Sequence, residues 1–90
     1  NIIIGNEVEI GNNCILYQGV TLGQKHNGIS GYGEDPILRD NVVVFAGAKV
    51  FGKIEVGKNA IIGANAVVFK NVPENTYAVG VPAQIIERKM

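Results

Sequence analysis

Two residues in one polar stretch of the chain are suited to acid–base chemistry. His26 is the only histidine, and Asp35 precedes Pro36 near the end of the same stretch. An imidazole accepts a proton near neutral pH, and a carboxylate can orient an acceptor amine or a partner imidazole. Both are therefore candidate catalytic residues. For His26 the alternative is an ordinary surface position in a loop.

The composition argues against a metal site, a disulfide and a nucleotide-triphosphate site. Metal binding needs several converging histidine, cysteine or carboxylate ligands, and the chain has one histidine and one cysteine. Cys14 falls on an inward position of the pattern described below, so we interpret it as a core thiol. The glycine-rich stretch at 23–36 lacks the Gly-x-x-x-x-Gly-Lys-Ser/Thr spacing of a phosphate loop.

The charge and hydropathy patterns exclude further classes of protein. Eight basic and eight acidic residues cancel, which speaks against nucleic acid as the main partner. No apolar run approaches the roughly 18 residues of a membrane span, and no signal core follows the N-terminus. We therefore expect a cytoplasmic protein with no membrane partner.

The elements that position these residues follow a repeat of six. Ten aliphatic residues stand six apart in two uninterrupted runs, at Ile4, Ile10, Leu16 and Leu22, and at Leu38, Val44, Val50, Val56, Ile62 and Val68. Four residues after nearly every one comes another small or apolar residue, so two positions per hexad face inward. A period of six fits neither a helical stripe nor simple alternation.

Short strands joined by tight corners explain this period. Glycine follows the aliphatic residue at Gly5, Gly11, Gly23, Gly57 and Gly63, and asparagine or aspartate clusters before the next hexad at Asn12, Asn13, Asp40, Asn41 and Asn59. Such residues tolerate the positive φ of tight turns. With three faces per coil, the pattern predicts an all-β solenoid, a parallel β-helix of just over three coils.

The solenoid divides into segments. We predict one domain, 1–90, with solenoid at 1–22, a loop insertion at 23–37, solenoid at 38–72 and a C-terminal cap at 73–90. The gap of sixteen residues between Leu22 and Leu38 exceeds one hexad by ten. Because 2–4 would face an open coil end, we also expect further coils upstream of Asn1.

Four segments resemble the hexapeptide-repeat acyltransferases, specifically the C-terminal part of serine acetyltransferases. They are 17–23 (YQGVTLG), 46–49 (AGAK), 63–68 (GANAVV) and 79–83 (VGVPA). The resemblance covers nearly all of the chain. It implies a left-handed solenoid that assembles as homotrimers with active sites between subunits. The outward-phased Val43, Phe45, Phe51 and Phe69 are candidate subunit contacts, or scattered surface apolar residues.

The resemblance also implies a donor and a set of site residues. The donor is acetyl-CoA, whose pantetheine arm runs along small residues; the matching positions are Gly23, Gly47, Ala48, Ala64 and Ala66. Lys70 and Gln84 match positions near the nucleotide end, where Gln84 replaces a basic residue of the family. The main catalytic histidine of the family would lie upstream of Asn1, and Asp35 stands where the family has a second histidine.

Three functions remain open at this point. The first is transfer of an acetyl group from acetyl-CoA to a hydroxyl, with serine as the expected acceptor. The second is O-acetylation of a sugar in surface polysaccharide synthesis, which the replacement at Asp35 keeps open. The third is a non-catalytic structural or CoA-binding β-helix.

Overall fold

The described part of the chain consists of short strands joined by turns. A computed structural model describes residues 1–23 and 35–88, and no helix occurs in these two ranges. The strands are β1 (Ile3–Ile4), β2 (Glu9–Ile10), β3 (Ile15–Leu16), β4 (Thr21–Gly23), β5 (Ile37–Leu38), β6 (Val43–Val44), β7 (Lys49–Phe51), β8 (Glu55–Val56), β9 (Ile61–Ile62), β10 (Val67–Val68), β11 (Thr76–Val79) and β12 (Gln84–Glu87).

These strands stack into three sheets, one for each face of a coil. Sheet A has the order β1-β4-β7-β10, sheet B has β2-β5-β8, and sheet C has β12-β11-β9-β6-β3. All pairs are parallel except β11 with β12. From β1 to β10, each strand therefore turns a corner into the next sheet, and every third strand returns to the same sheet. The predicted parallel β-helix is confirmed.

The register shows how the insertion is accommodated. Lys49 pairs with Val67 and Ile3 with Thr21, a spacing of 18 residues (67 − 49 and 21 − 3). Across the polar stretch Glu9 pairs with Ile37, a spacing of 28 (37 − 9). The difference of ten equals the excess counted in the sequence, so the insertion adds residues without adding a rung.

The inward aliphatic ladders form the core. In sheet A, Leu22 and Val50 are fully buried, whereas Ile4 on the first rung is 46% exposed because it has a neighbouring rung on one side only. The buried core consists of Val20, Leu22, Leu38, Val42, Val44, Ala48, Val50, Ile54, Val56, Ala60, Ile62, Ala66, Val68, Val72 and Ala78. Branched aliphatic residues suit these short pleated rungs, where each packs on its equivalents above and below.

One corner is built almost wholly from asparagine. Asn13, Asn41, Asn59 and Asn75 occupy equivalent positions in successive coils, each with φ between 60° and 64°. Asparagine adopts this left-handed conformation at lower cost than most other residues. From Asn41 onward, each backbone N–H donates to a carbonyl of the preceding coil at 2.9 to 3.0 Å. Of the predicted turn residues, Asn13, Asn41 and Asn59 have positive φ, whereas Asn12 and Asp40 do not.

The glycines that follow the aliphatic residues serve a different purpose from the one predicted. Gly5, Gly11, Gly57 and Gly63 are absent from the residues with positive φ, so turn conformation does not explain them. A Cβ at Gly11 would overlap the Asp40 side chain, and one at Gly57 would overlap the backbone of Glu74. These glycines are required because the next coil approaches too closely for a side chain.

The C-terminal segment leaves the repeat. Ile61 pairs with Tyr77, a spacing of only 16 (77 − 61), and β12 then runs back antiparallel along β11. The Arg88 side chain donates to the Asn59 carbonyl and lies 5.4 Å from the centre of the Tyr77 ring. The C-terminal tail is thus a strand, β12, attached to sheet C. In the described part of the chain, no helix is long and apolar enough to cross a membrane.

Candidate functional site

Asp35 occupies a buried position at the point where the chain returns to the solenoid. Its side chain is only 4% exposed. The Glu7 backbone N–H donates a hydrogen bond of 2.8 Å to Asp35 Oδ2. The other oxygen, Oδ1, lies against Gly5, where a Cβ would overlap it. Oδ1 is buried and accepts no hydrogen bond from the described residues.

A cleft lies beside Asp35, and we call it the Asp35 cleft. It has a volume of about 250 Å³ and is lined by Glu7, Glu9, Asp35, Ile37 and Lys53. These residues stand at equivalent places in consecutive coils, since Lys53 follows Asp35 by 18 residues and Asp35 follows Glu7 by 28. Three of these lining residues were not among the predicted site residues: Glu7, Glu9 and Lys53. The coil spacing, counted with the ten-residue insertion, would have placed them beside Asp35.

His26 falls outside the described residues, so its relation to Asp35 stays a prediction. Within the described ranges, no group of three or more histidine, cysteine, aspartate or glutamate side chains is arranged to hold a metal ion. Cys14 is half-buried, and its Sγ donates to the Arg39 carbonyl at 3.1 Å.

Four of the seven predicted cofactor-binding residues lie at one corner. Gly47 and Ala48 lead into β7, and Ala64 and Ala66 stand one coil above them. Gly23 lies apart from these four, at the C-terminal end of β4, where its rung partner is Phe51. We call the first four the small-residue corner.

Some backbone groups of this corner make hydrogen bonds with other described residues, and others do not. The N–H groups of Gly47, Ala48 and Ala66 donate to other backbone carbonyls, and the methyl groups of Ala48 and Ala66 are fully buried. Ala64 is exposed and makes no backbone–backbone hydrogen bond with the described residues. Among the described residues, the Gly47 carbonyl accepts a hydrogen bond only from the Lys49 amine, at 3.2 Å. A ligand along this corner would therefore bond to the Ala64 backbone and the Gly47 carbonyl.

Lys70 and Gln84 both line a second hollow, which we call the C-terminal cleft. Its volume is about 350 Å³, and it is lined by Val68, Phe69, Lys70, Asn71, Pro82, Ala83, Gln84 and Ile85. The Ala83 N–H donates to the Val67 carbonyl at 2.9 Å, which draws the C-terminal segment across the end of sheet A. The cleft combines apolar walls, two amide side chains and one lysine.

A third hollow, of about 460 Å³, contains none of the predicted site residues. Arg39 Nε lies 2.6 Å from Glu55 Oε2 there. This hydrogen bond, and then the charge of Arg39, lowers the pKa of Glu55, and the same pair raises the pKa of Arg39. Both side chains are about half exposed, so solvent weakens the interaction.

Comparisons with known proteins give consistent matches. A family model described as the hexapeptide repeat of succinyl-transferase matches residues 1–25 and 53–70. The serine acetyltransferase of Mycobacterium tuberculosis is 46% identical over 85 residues, which are 94% of this chain and 36% of that protein. The serine acetyltransferase of Synechococcus elongatus is 45% identical over 87 residues, which are 97% of this chain and 35% of that protein.

Solved structures agree with these relatives. A serine acetyltransferase in complex with cysteine superimposes with a TM-score of 0.88 at 45% identity, covering 96% of this chain and 35% of that one. Another, in complex with CoA, superimposes with a TM-score of 0.85 at 46% identity, covering 94% and 34%. The likeness confirms the left-handed form of the β-helix. The chain spans about a third of the length of the relatives it matches.

Proposed function

This is a serine acetyltransferase-like hexapeptide-repeat chain, and from that we propose that it forms part of an O-acetyltransferase acting from acetyl-CoA on a serine hydroxyl. The observation that carries the proposal is the similarity to a serine acetyltransferase solved with CoA, which extends over 94% of this chain.

The proposed donor site runs along the small-residue corner to the C-terminal cleft. The pantetheine arm, an extended chain with two amides, lies beside Ala64 and the Gly47 carbonyl, where backbone groups are available. The nucleotide end lies toward Lys70, whose charge attracts phosphate, and Phe69, whose exposed ring offers an apolar surface. Gly23 is proposed as the outermost residue of this donor site. Gln84 contributes a neutral amide at the position where the family resemblance implies a charged, basic residue.

The proposed reaction requires a base, a hydroxyl and the thioester. A base removes the proton of the acceptor hydroxyl as its oxygen attacks the acetyl carbonyl; the carbon–sulfur bond then breaks, and the CoA sulfur leaves and takes up a proton. His26 is the imidazole that this chain itself could supply. The main base is proposed to come from a histidine outside residues 1–90. Asp35 is proposed to orient the acceptor and not to transfer the proton, because both of its oxygens are buried or bonded.

The proposed assembly is a homotrimer in the cytoplasm. Stacked aromatic pairs on the outer surface support subunit contact: Tyr17 and Phe45 lie 5.0 Å apart with rings inclined by 8°, and Phe51 and Phe69 lie 6.0 Å apart. Tyr17, Phe45 and Phe69 are each more than a third exposed. Association of such rings across subunits would remove apolar area from water.

A CoA-release assay tests the proposal, with the longest natural chain that contains these ninety residues. Acetyl-CoA is supplied with L-serine and, separately, with a panel of sugars. Release with serine is the expected result. Release only with a sugar would indicate that the protein O-acetylates a polysaccharide. CoA binding without release for any acceptor would identify a non-catalytic CoA-binding β-helix. The variant His26→Ala shows whether this imidazole is the base.

A further inference from the structure

We propose that Lys49 holds a backbone carbonyl of the donor site and must release it when the donor binds, which favours a negatively charged donor over an uncharged one. This role rests on the proposed acetyl transfer from acetyl-CoA and adds one residue to its donor site. The starting point is the hydrogen bond of 3.2 Å that the Lys49 amine donates to the Gly47 carbonyl.

Three backbone carbonyls lie in a row along the small-residue corner, and we call them the carbonyl row. They belong to Gly19, Gly47 and Asn65, which stand at equivalent places in three successive coils, each two residues before a rung of sheet A. All three residues are left-handed, with φ of 75°, 73° and 59°. Neighbouring strands of a sheet lie about 4.8 Å apart, so the row repeats at about that distance.

The three carbonyls differ in their hydrogen bonds. Those of Gly19 and Asn65 accept none from the described residues, and both residues are exposed. The Gly47 carbonyl, in the middle, is bonded to the Lys49 amine. The rung partner of Lys49 in the next coil is Val67, whose side chain has no donor. Lys49 therefore blocks the middle of a row that the described residues otherwise leave open.

The Lys49 amine can be displaced at modest cost. Lys49 is exposed, and within the described residues it forms no salt bridge. An exposed hydrogen bond contributes little net free energy, because water replaces it when it breaks. The long side chain also regains rotamer freedom when it is released. An amide N–H of a ligand can therefore take the place of the amine at the Gly47 carbonyl.

An extended ligand with two amides suits the carbonyl row. In the proposed mode the pantetheine arm follows the row, and one of its N–H groups replaces the Lys49 amine at Gly47. The released ammonium group attracts the phosphates of CoA, and salt screens this attraction with a Debye length of about 10 Å at 0.1 M. Uncharged pantetheine must displace the same amine without that attraction. Lys49 therefore selects against the uncharged compound.

The variant Lys49→Met tests this role, because methionine is also long and unbranched but has neither donor nor charge. Calorimetric titration with uncharged D-pantetheine should show about 2- to 10-fold tighter binding to the variant than to wild type, the range of one hydrogen bond. CoA should gain less at low salt, since the variant also loses a charge, and should approach the gain of pantetheine near 1 M salt. Equal or weaker pantetheine binding to the variant would overturn the inference.

Lys58→Met is the matched control, since Lys58 is also exposed but lines the third hollow. It should leave both affinities unchanged, and both variants should melt close to wild type. The NMR resonance of the Gly47 carbonyl carbon gives a readout that needs no ligand. It should shift in Lys49→Met and stay in place in Lys58→Met; an unchanged resonance in both variants would contradict the Lys49 contact.

The outcomes separate this role from the proposed function. If CoA does not bind the wild-type protein, the proposed function fails. If CoA binds and acetyl is transferred, but Lys49→Met binds pantetheine no better, only the role of Lys49 fails. Weaker CoA binding to the variant at every salt concentration would also overturn it, because Lys49 would then be a simple phosphate ligand. Should pantetheine bind too weakly to measure, the CoA comparison near 1 M salt decides.

Discussion

The side-chain oxygen of Asn65 occupies the space that a Cβ on Gly47 would fill. Gly47 has φ of 73° and Asn65 has φ of 59°, so two left-handed residues stack in adjacent coils at the small-residue corner. The Asn65 N–H also donates to the Ala46 carbonyl at 2.9 Å. The proposed donor site is thus shaped by a contact between coils that depends on the absence of a side chain at Gly47.

Gly47→Ala should destabilise the fold. The new methyl group would overlap Asn65 Oδ1 and place alanine in the left-handed region, and we expect a loss of about 1–3 kcal/mol in the free energy of unfolding. Urea denaturation followed by circular dichroism measures it. Gly23→Ala is the matched control, because a Cβ there meets nothing within 4 Å. An equal loss in both variants would contradict the account.

The core ladder predicts graded costs of truncation. Ile62→Ala removes a fully buried side chain flanked by rungs on both sides, so we expect a loss of about 2–5 kcal/mol. Ile4→Ala removes the same side chain from the first rung, where it is 46% exposed, and should cost less than half as much. Thermal or urea unfolding of the pair measures the difference. Equal costs would show that the two coils are packed alike.

Lys70 should contribute to CoA binding through charge. Lys70→Ala should lower CoA affinity by about 3- to 10-fold, and the effect should shrink as salt screens the phosphates. Gln84→Arg should raise the affinity by a similar factor, because it adds a second cation to the C-terminal cleft. Calorimetric titration at two salt concentrations measures both. Lys58→Ala, an exposed lysine of the third hollow, is the control and should leave CoA affinity unchanged.

The Arg39–Glu55 pair should give a small pH-dependent contribution to stability. Because Arg39 lowers the pKa of Glu55 in the folded state, the contribution is present above the ordinary pKa of glutamate and is lost as the pH falls through the lowered value. Glu55→Gln should therefore be slightly less stable than wild type at pH 7 and equal to it in strong acid. The difference should also vanish near 1 M salt. A gap that persists in acid would exclude the ion pair as its cause.

The sequence was a good guide to the solenoid because its period of six is a direct result of the geometry. Leu22, Val50 and Val68 belong to one ladder, and their spacing of 28 and then 18 residues contains both the coil length and the insertion. The left-handed asparagines could also be anticipated, since few other residues adopt that conformation. The repeat alone did not fix the handedness.

The sites were harder to predict because each of them is formed by residues from different coils. Asp35 and Lys53 are adjacent only through the register, and the burial of Asp35 depends on Gly5, which belongs to the preceding coil. The sequence shows that a glycine lacks a side chain, but it does not show which neighbouring group fills that space. The glycines were therefore predicted to lie in turns. Gln84 lines the same cleft as Lys70 because β12 folds back along β11, a reversal that no hexad encodes.

The spacing of 28 residues between Glu9 and Ile37 has a consequence for engineering. Both Gly23 and Ile37 are held by rung partners in the coil above, at Phe51 and Glu55, so the two ends of the insertion are anchored independently of what joins them. Segments of other lengths or sequences could be grafted between these anchors without shifting any strand. The scaffold therefore offers a fixed mounting point for exchangeable loops.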